Sequence, residues 1–191
     1  MNTTALTTTE IDVKEYEMEN LSGASLYVGT YHKYNCGSIY GMWVDLEKFT
    51  DAEDFFEVCR ALHADEKNPE FMFQDFQGFP YDMYHESMCE DSIQKILDYL
   101  NMDEDDKYKY EAYCKCVGTP DDPRKAIDRC IGVAESFTDW CDEQADAMLD
   151  ELNVPHQIAM YFDYAAYERD LNIELYHAEA SNGMTYIFDN K

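Results

Sequence analysis

Between Arg129 and Arg169 the chain contains no lysine or arginine, although Asp139, Asp142, Glu143, Asp146 and Asp150 all fall in that interval. Nothing close in sequence can neutralise these acids, so a fold must turn them to solvent. Residues 135–152 predict a helix that does so. At about 100° per residue the five acids share an arc of roughly 100°. Phe137, Cys141, Ala145, Met148 and Leu152 fall on the other side and make the expected core face. Like charges four apart repel by a few tenths of a kcal/mol per pair, so stability alone would favour interleaved lysines. Asp139 to Asp150 spans ~16 Å of helix axis, one charge per ~4 Å, near the ~3.4 Å phosphate repeat of a DNA strand. One acidic helix is commonly only a solvated face, so the rest of the chain has to decide.

The acidity runs throughout. The 191 residues hold 41 Asp and Glu against 14 Lys and Arg, a net charge of −27, and no region escapes the excess. A detachable acidic tail would load one end, and 15% aromatic residues are too many for a disordered chain. The folded surface itself must be anionic, with aromatic burial offsetting its self-repulsion. Direct nucleic-acid binding needs a basic footprint and is not expected. Basic protein surfaces, including those that hold DNA or RNA, are the fitting partners. A halophilic surface is the plainer alternative, but seven Cys, ten Met and the aromatic load suit it poorly.

The seven cysteines are irregularly spaced without a Cys-x-x-Cys, which predicts reduced thiols in a cytoplasmic protein. No secretory leader pattern and no apolar run of ~20 residues is present, so no membrane association is expected.

Taken in order, residues 1–24 predict a mobile N-terminal extension with a helical turn near Val13 to Met18. Residues 25–80 predict a ββαβ domain. Its strands are Leu26 to Tyr34, Ser38 to Leu46 and Phe71 to Phe76, with a hairpin turn at Asn35-Cys36-Gly37. A capping box at Thr50 to Glu53 opens its helix, where Glu53, Asp54 and Glu57 crowd the N-terminal half. Residues 81–129 predict a helical middle domain. One helix follows a capping box at Ser87 to Glu90, a second starts at Asp103-Glu104-Asp105-Asp106, and a short one leads out from Pro123. Residues 130–191 predict the acidic helix, a break at Asn153-Val154-Pro155, a helix capped by Asp163, and a closing hairpin from Ile173 to Phe188 through Ser181-Asn182-Gly183. The expected class is α+β, with two small antiparallel sheets and a helical middle between them.

Catalytic chemistry finds little footing. The histidines (His32, His63, His85, His156, His177) have no metal-ligand spacing, and Cys114-x-Cys116 is too short for a zinc knuckle. The Asp103 to Asp106 run lacks the Gly and terminal Glu of a calcium loop. Cys36 with His32 fits a structural turn better than a nucleophile. Neither catalytic residues nor a metal or cofactor is expected.

Three stretches are diagnostic together. They are Leu26 to Leu46, with Tyr-x-x-Tyr-Asn-x-Gly at 31–37; Phe71 to Pro80; and Tyr161 to Leu171, with Asp-Tyr-x-x-Tyr-x-Arg-Asp-Leu at 163–171. In this order, on an acidic chain of this length, they resemble the ArdA family of antirestriction proteins, closely over 26–80 and more loosely over 130–188. The 24-residue extension and the middle unit depart from the family's pattern. The resemblance implies an elongated chain of three small domains that forms a homodimeric mimic of B-form DNA, encoded on a mobile element. It would occupy the DNA-binding groove formed by the specificity and methylation subunits of a type I restriction-modification enzyme, protecting incoming DNA. The residues expected to face the partner are Asp139, Asp142, Glu143, Asp146 and Asp150, then Asp103, Glu104, Asp105 and Asp106, and Glu53, Asp54 and Glu57. An acidic adaptor or inhibitor of another basic DNA-binding protein is the alternative.

Overall fold

The computed structural model describes residues 11–18 and 23–190. They form an α+β protein with two small antiparallel sheets, in two compact units that divide after Asn101.

The first unit is built on three strands, β1 (Ser25–Thr30), β2 (Met42–Asp45) and β3 (Phe71–Gln77), in the order β2-β1-β3. Leu26 pairs with Val44 and Phe76, and a bulge follows Tyr27 on the β3 side. The expected ββαβ order is present and β1 and β2 pair antiparallel, but the connection between them is longer than the expected tight turn. The Thr30 side chain accepts from Lys33 N and starts a helical turn, α1 (Tyr31–Asn35), which ends β1 four residues earlier than the alternation suggests. Gly37 then reverses the chain at φ +80°, a conformation open to glycine. The second strand starts only at Met42, and Leu46 belongs to the short 3-10 turn after it.

Helix α2 (Ala52–Leu62) buries Phe55, Val58, Cys59 and Leu62 against the sheet. Its cap is Asp51, whose side chain accepts from Glu53 N at 2.7 Å, rather than Thr50. Helix α3 (Glu90–Leu100) starts after Cys89, with no side-chain cap bond where Ser87 was expected to supply one. Ile93, Ile96 and Leu97 join the same core.

Residues 11–18 of the extension are docked rather than loose. Ile11, Val13 and Tyr16 pack on this core, Tyr16 stacks on Phe49 with centroids 5.1 Å apart, and Met18 N donates to Trp43 O at 2.9 Å. The expectation of mobility for 1–10 and 19–22 lies outside the described residues.

The second unit begins with α4 (Glu104–Cys116) and α5 (Arg124–Arg129). Its sheet contains β4 (Cys130–Ala134), β5 (Tyr176–Glu179) and β6 (Thr185–Phe188), in the order β4-β6-β5. The central strand β6 is buried along its whole length. The Tyr113 ring of α4 meets Phe188 edge-on at 5.2 Å. Lys115 Nζ and the Glu111 carboxylate bind the β5–β6 hairpin through Glu179 O and Ser181 Oγ, at 2.8 and 2.7 Å. Of the helices in residues 81–129, α3 joins the first core and α4 covers the second sheet.

Helix α6 (Phe137–Glu151) lies on the same sheet, followed by α7 (His156–Ala159) and α8 (Tyr164–Glu174). The Asp163 carboxylate accepts from Ala166 N at 2.9 Å, the cap the sequence predicts. The strand β4 has no counterpart among the expected elements.

Candidate anionic interaction surface

Helix α6 carries the leading candidate residues, and its local construction explains why they face outward. Ser136 Oγ accepts from Asp139 N at 3.1 Å and donates to the Asp139 carboxylate at 2.5 Å, closing the first turn. Phe137, Trp140, Cys141 and Ala145 are buried, joined by Ile187 and backed by Leu171 and Leu175. The Trp140 indole sits over Gly132 of β4, where only the missing side chain leaves room. The buried face is thus rotated from the expected one. Leu152 lies past the last helical residue and is 67% exposed rather than in the core, and Trp140 takes a place the spacing had not assigned.

The rotation leaves Asp139, Asp142, Glu143, Asp146 and Asp150 exposed. Among the described residues none of the five forms an ion pair. The Tyr164 hydroxyl donates to Asp146 Oδ1 at 2.5 Å. That bond is the main cause of a raised Tyr164 pKa, and the charges of Asp142 and Asp150 add to it. Burial pushes the Cys141 thiol up to about 11, with Glu168 and Asp142 contributing. In both groups the nearby carboxylates add to a larger effect, the Asp146 bond for Tyr164 and burial for Cys141.

The other candidate acids are placed differently. Asp103 caps α4, accepting from Asp106 N at 2.9 Å. Asp105 and Asp106 share Lys109, each 2.8 Å from its Nζ, while Glu104 is exposed. Those contacts hold the Lys109 pKa above its ordinary value and the Asp105 pKa below. Glu53, Asp54 and Glu57 are exposed on α2, in the first unit, with no ion pair among the described residues. Glu53 and Asp54 lie in its first turn, where the helix dipole favours anions.

Spacing along the chain missed one cluster. His63, Asp65 and Glu66 bring ligand atoms within 4.8 Å of one another, a set that could hold a metal ion. A cation is already there. Lys33 Nζ lies 2.9 Å from His63 Nδ1, 2.8 Å from Asp65 and 3.4 Å from Glu66, and 4.7 Å from the Tyr40 ring centroid. Burial opposes the Lys33 charge, but the two carboxylates outweigh it and raise its pKa. His63 is fully buried, and burial depresses its pKa. The neutral ring accepts from Lys33 and donates through Nε2 to Val28 O at 3.2 Å. The cluster pins the Tyr31–Asn35 turn to the end of α2; these residues fit a structural ion pair better than a metal centre.

No helix among the described residues is long and apolar enough to cross a membrane. The family model described as "Antirestriction protein (ArdA)" matches residues 26–186, most of the chain. The chain belongs to the ArdA antirestriction family. No curated protein and no solved structure matches it.

Proposed function

We propose that the chain is a non-catalytic mimic of B-form DNA that competes for the DNA-binding groove of a type I restriction-modification enzyme. In the cytoplasm this would shield incoming DNA. One observation carries the reading: α6 presents five exposed carboxylates with no ion pair among the described residues, and ideal helix geometry puts them at an average of one per ~4 Å of axis, near the repeat of strand phosphates. Lysines and arginines of a DNA channel supply the missing counter-charge, and attraction to such a surface is long-range and salt-sensitive.

Within this reading the acids have unequal weight. The α6 stripe leads. Glu53, Asp54, Glu57 and Glu104 are available as exposed charges, whereas Asp103, Asp105 and Asp106 are partly engaged in capping and in Lys109. The working form is a homodimer carrying −54, twice the charge of one chain. Ile158 and Tyr161, 62% and 88% exposed, offer apolar surface for that association.

The test is displacement. Labelled cognate DNA is bound to a type I enzyme and the protein is titrated in. Loss of DNA occupancy supports the reading, and retention of DNA at large excess refutes it.

A further inference from the structure

The C-terminal end of α6 borders a cavity of about 480 Å³, lined by Leu149, Met160 and Phe162 together with Asp146, Asp150 and His156. Two features set it apart from the rest of the acidic face. The last turn of α6 contains no basic residue, although Asp150 and Glu151 stand there. The carbonyls of a helix end carry partial negative charge, so acids at that position add to an unfavourable field that a cation would relieve. The cavity also has an apolar shelf, with Met160 71% exposed beside the carboxylates. A phosphate-like charge array has no need of such a shelf. A long cationic side chain does, because its carbon stem has to be covered when its head is paired.

We propose that this cavity receives one arginine side chain of the basic protein that the acidic face engages, its guanidinium between Asp146 and Asp150 and its stem along Leu149 and Met160. The inference rests on the proposed function and specifies which cation is read. Arginine fits better than lysine because the guanidinium is planar, weakly hydrated, able to fork between two carboxylates, and able to stack on Phe162. Tyr164, donating to Asp146, holds one of those carboxylates in place.

The probe is N-acetyl-arginine amide, compared with its lysine analogue, against the full chain with labelled methionine methyls at pH 8. The Met160 methyl should shift saturably, with arginine binding about fivefold tighter than lysine, the scale of one exposed cation–π contact. Asp150→Asn should abolish the preference, whereas Asp142→Asn, outside the cavity, should keep it. Equal response to both probes, a silent Met160, or a preference unchanged in Asp150→Asn overturns the proposal. In the DNA-displacement assay, Asp150→Asn should weaken competition more than Asp142→Asn while light scattering reports the same oligomer. Dissociation of the oligomer in Asp150→Asn would make the occupant a second copy's arginine and reject the proposal as stated. Failure of the wild-type chain to displace DNA would instead strike the DNA-mimic reading, leaving the cavity to be judged on the methyl shifts.

Discussion

Tyr164 of α8 donates its hydroxyl to Asp146 of α6 at 2.5 Å, so a carboxylate on the outward face is also the anchor of a neighbouring helix. The bond favours the neutral phenol. A folded-state pKa raised above the unfolded value gives stability that is present below the unfolded pKa, ~10 for tyrosine, and lost as pH rises through the folded value. Subtracting the alkaline absorbance titration of Tyr164→Phe from that of wild type should isolate one phenol ionising above the ordinary tyrosine range. A difference curve centred at the ordinary value would mean that the bond and the surrounding charges have no net effect.

His63 sets the opposite window. Its folded pKa is depressed by burial, so its contribution is present above the unfolded value of ~6.5 and is lost as pH falls through the folded value. Protonation would place a charge on the nitrogen that accepts from Lys33. Urea unfolding should show stability falling from about pH 6.5 downward, and His63→Phe should flatten that limb. Asp65 and Glu66, whose pKa values are lowered, add their own loss only at more acid pH. An unchanged acid limb in His63→Phe would contradict this assignment.

Gly132 supports Trp140 from below. A Cβ there would come 2.2 Å from the indole Nε1, and the buried ring is held between β4 and Phe137. Gly132→Ala should destabilise by about 1–3 kcal/mol, the usual range for overpacking. Denaturant unfolding followed by tryptophan fluorescence measures it, and a loss below about 0.5 kcal/mol would show that the ring can move aside.

The surface as a whole predicts an unusual salt response. With −27 on the chain and no ion pair on the α6 stripe among the described residues, self-repulsion should weaken as salt screens it. The melting temperature should rise between about 0.01 and 0.5 M NaCl, as the Debye length shrinks from ~30 Å to a few ångströms. A flat or falling Tm would place the charges in compensating contacts.

Much of this architecture is legible in the residues. Helix α3 follows from its apolar spacing, α4 and α8 from the start signals at Asp103 and Asp163, and the closing hairpin from Ser181-Asn182-Gly183. Where the chain misleads, a longer-range contact decides. The alternation through Tyr34 suggests strand, but Thr30 caps Lys33 and turns the backbone helical. Cys130–Ala134 carries no apolar–polar alternation, since its outward residues are Ile131 and Val133, and its place comes from pairing with β6. The choice of Trp140 over Leu152 for the core reflects the room left by Gly132, which no helical wheel contains. The Lys33 cluster joins residues about thirty positions apart, beyond any local spacing rule. Outward placement of the α6 acids was readable because no base lay near enough in sequence to claim them.

Under the proposed function, carboxylates on α6 take the place of DNA phosphates. The most direct measurement titrates wild type and a block variant, Asp139→Asn, Asp142→Asn, Glu143→Gln, Asp146→Asn and Asp150→Asn combined, against a type I enzyme bound to labelled DNA, after circular dichroism confirms that the variant is folded. Wild type should displace the DNA, with potency falling as salt rises, and the folded block variant should compete at least tenfold less well, as for the loss of several screened charge pairs of ~0.2–1 kcal/mol each. Equal competition by the two proteins, or DNA that stays bound at large wild-type excess, would contradict the account.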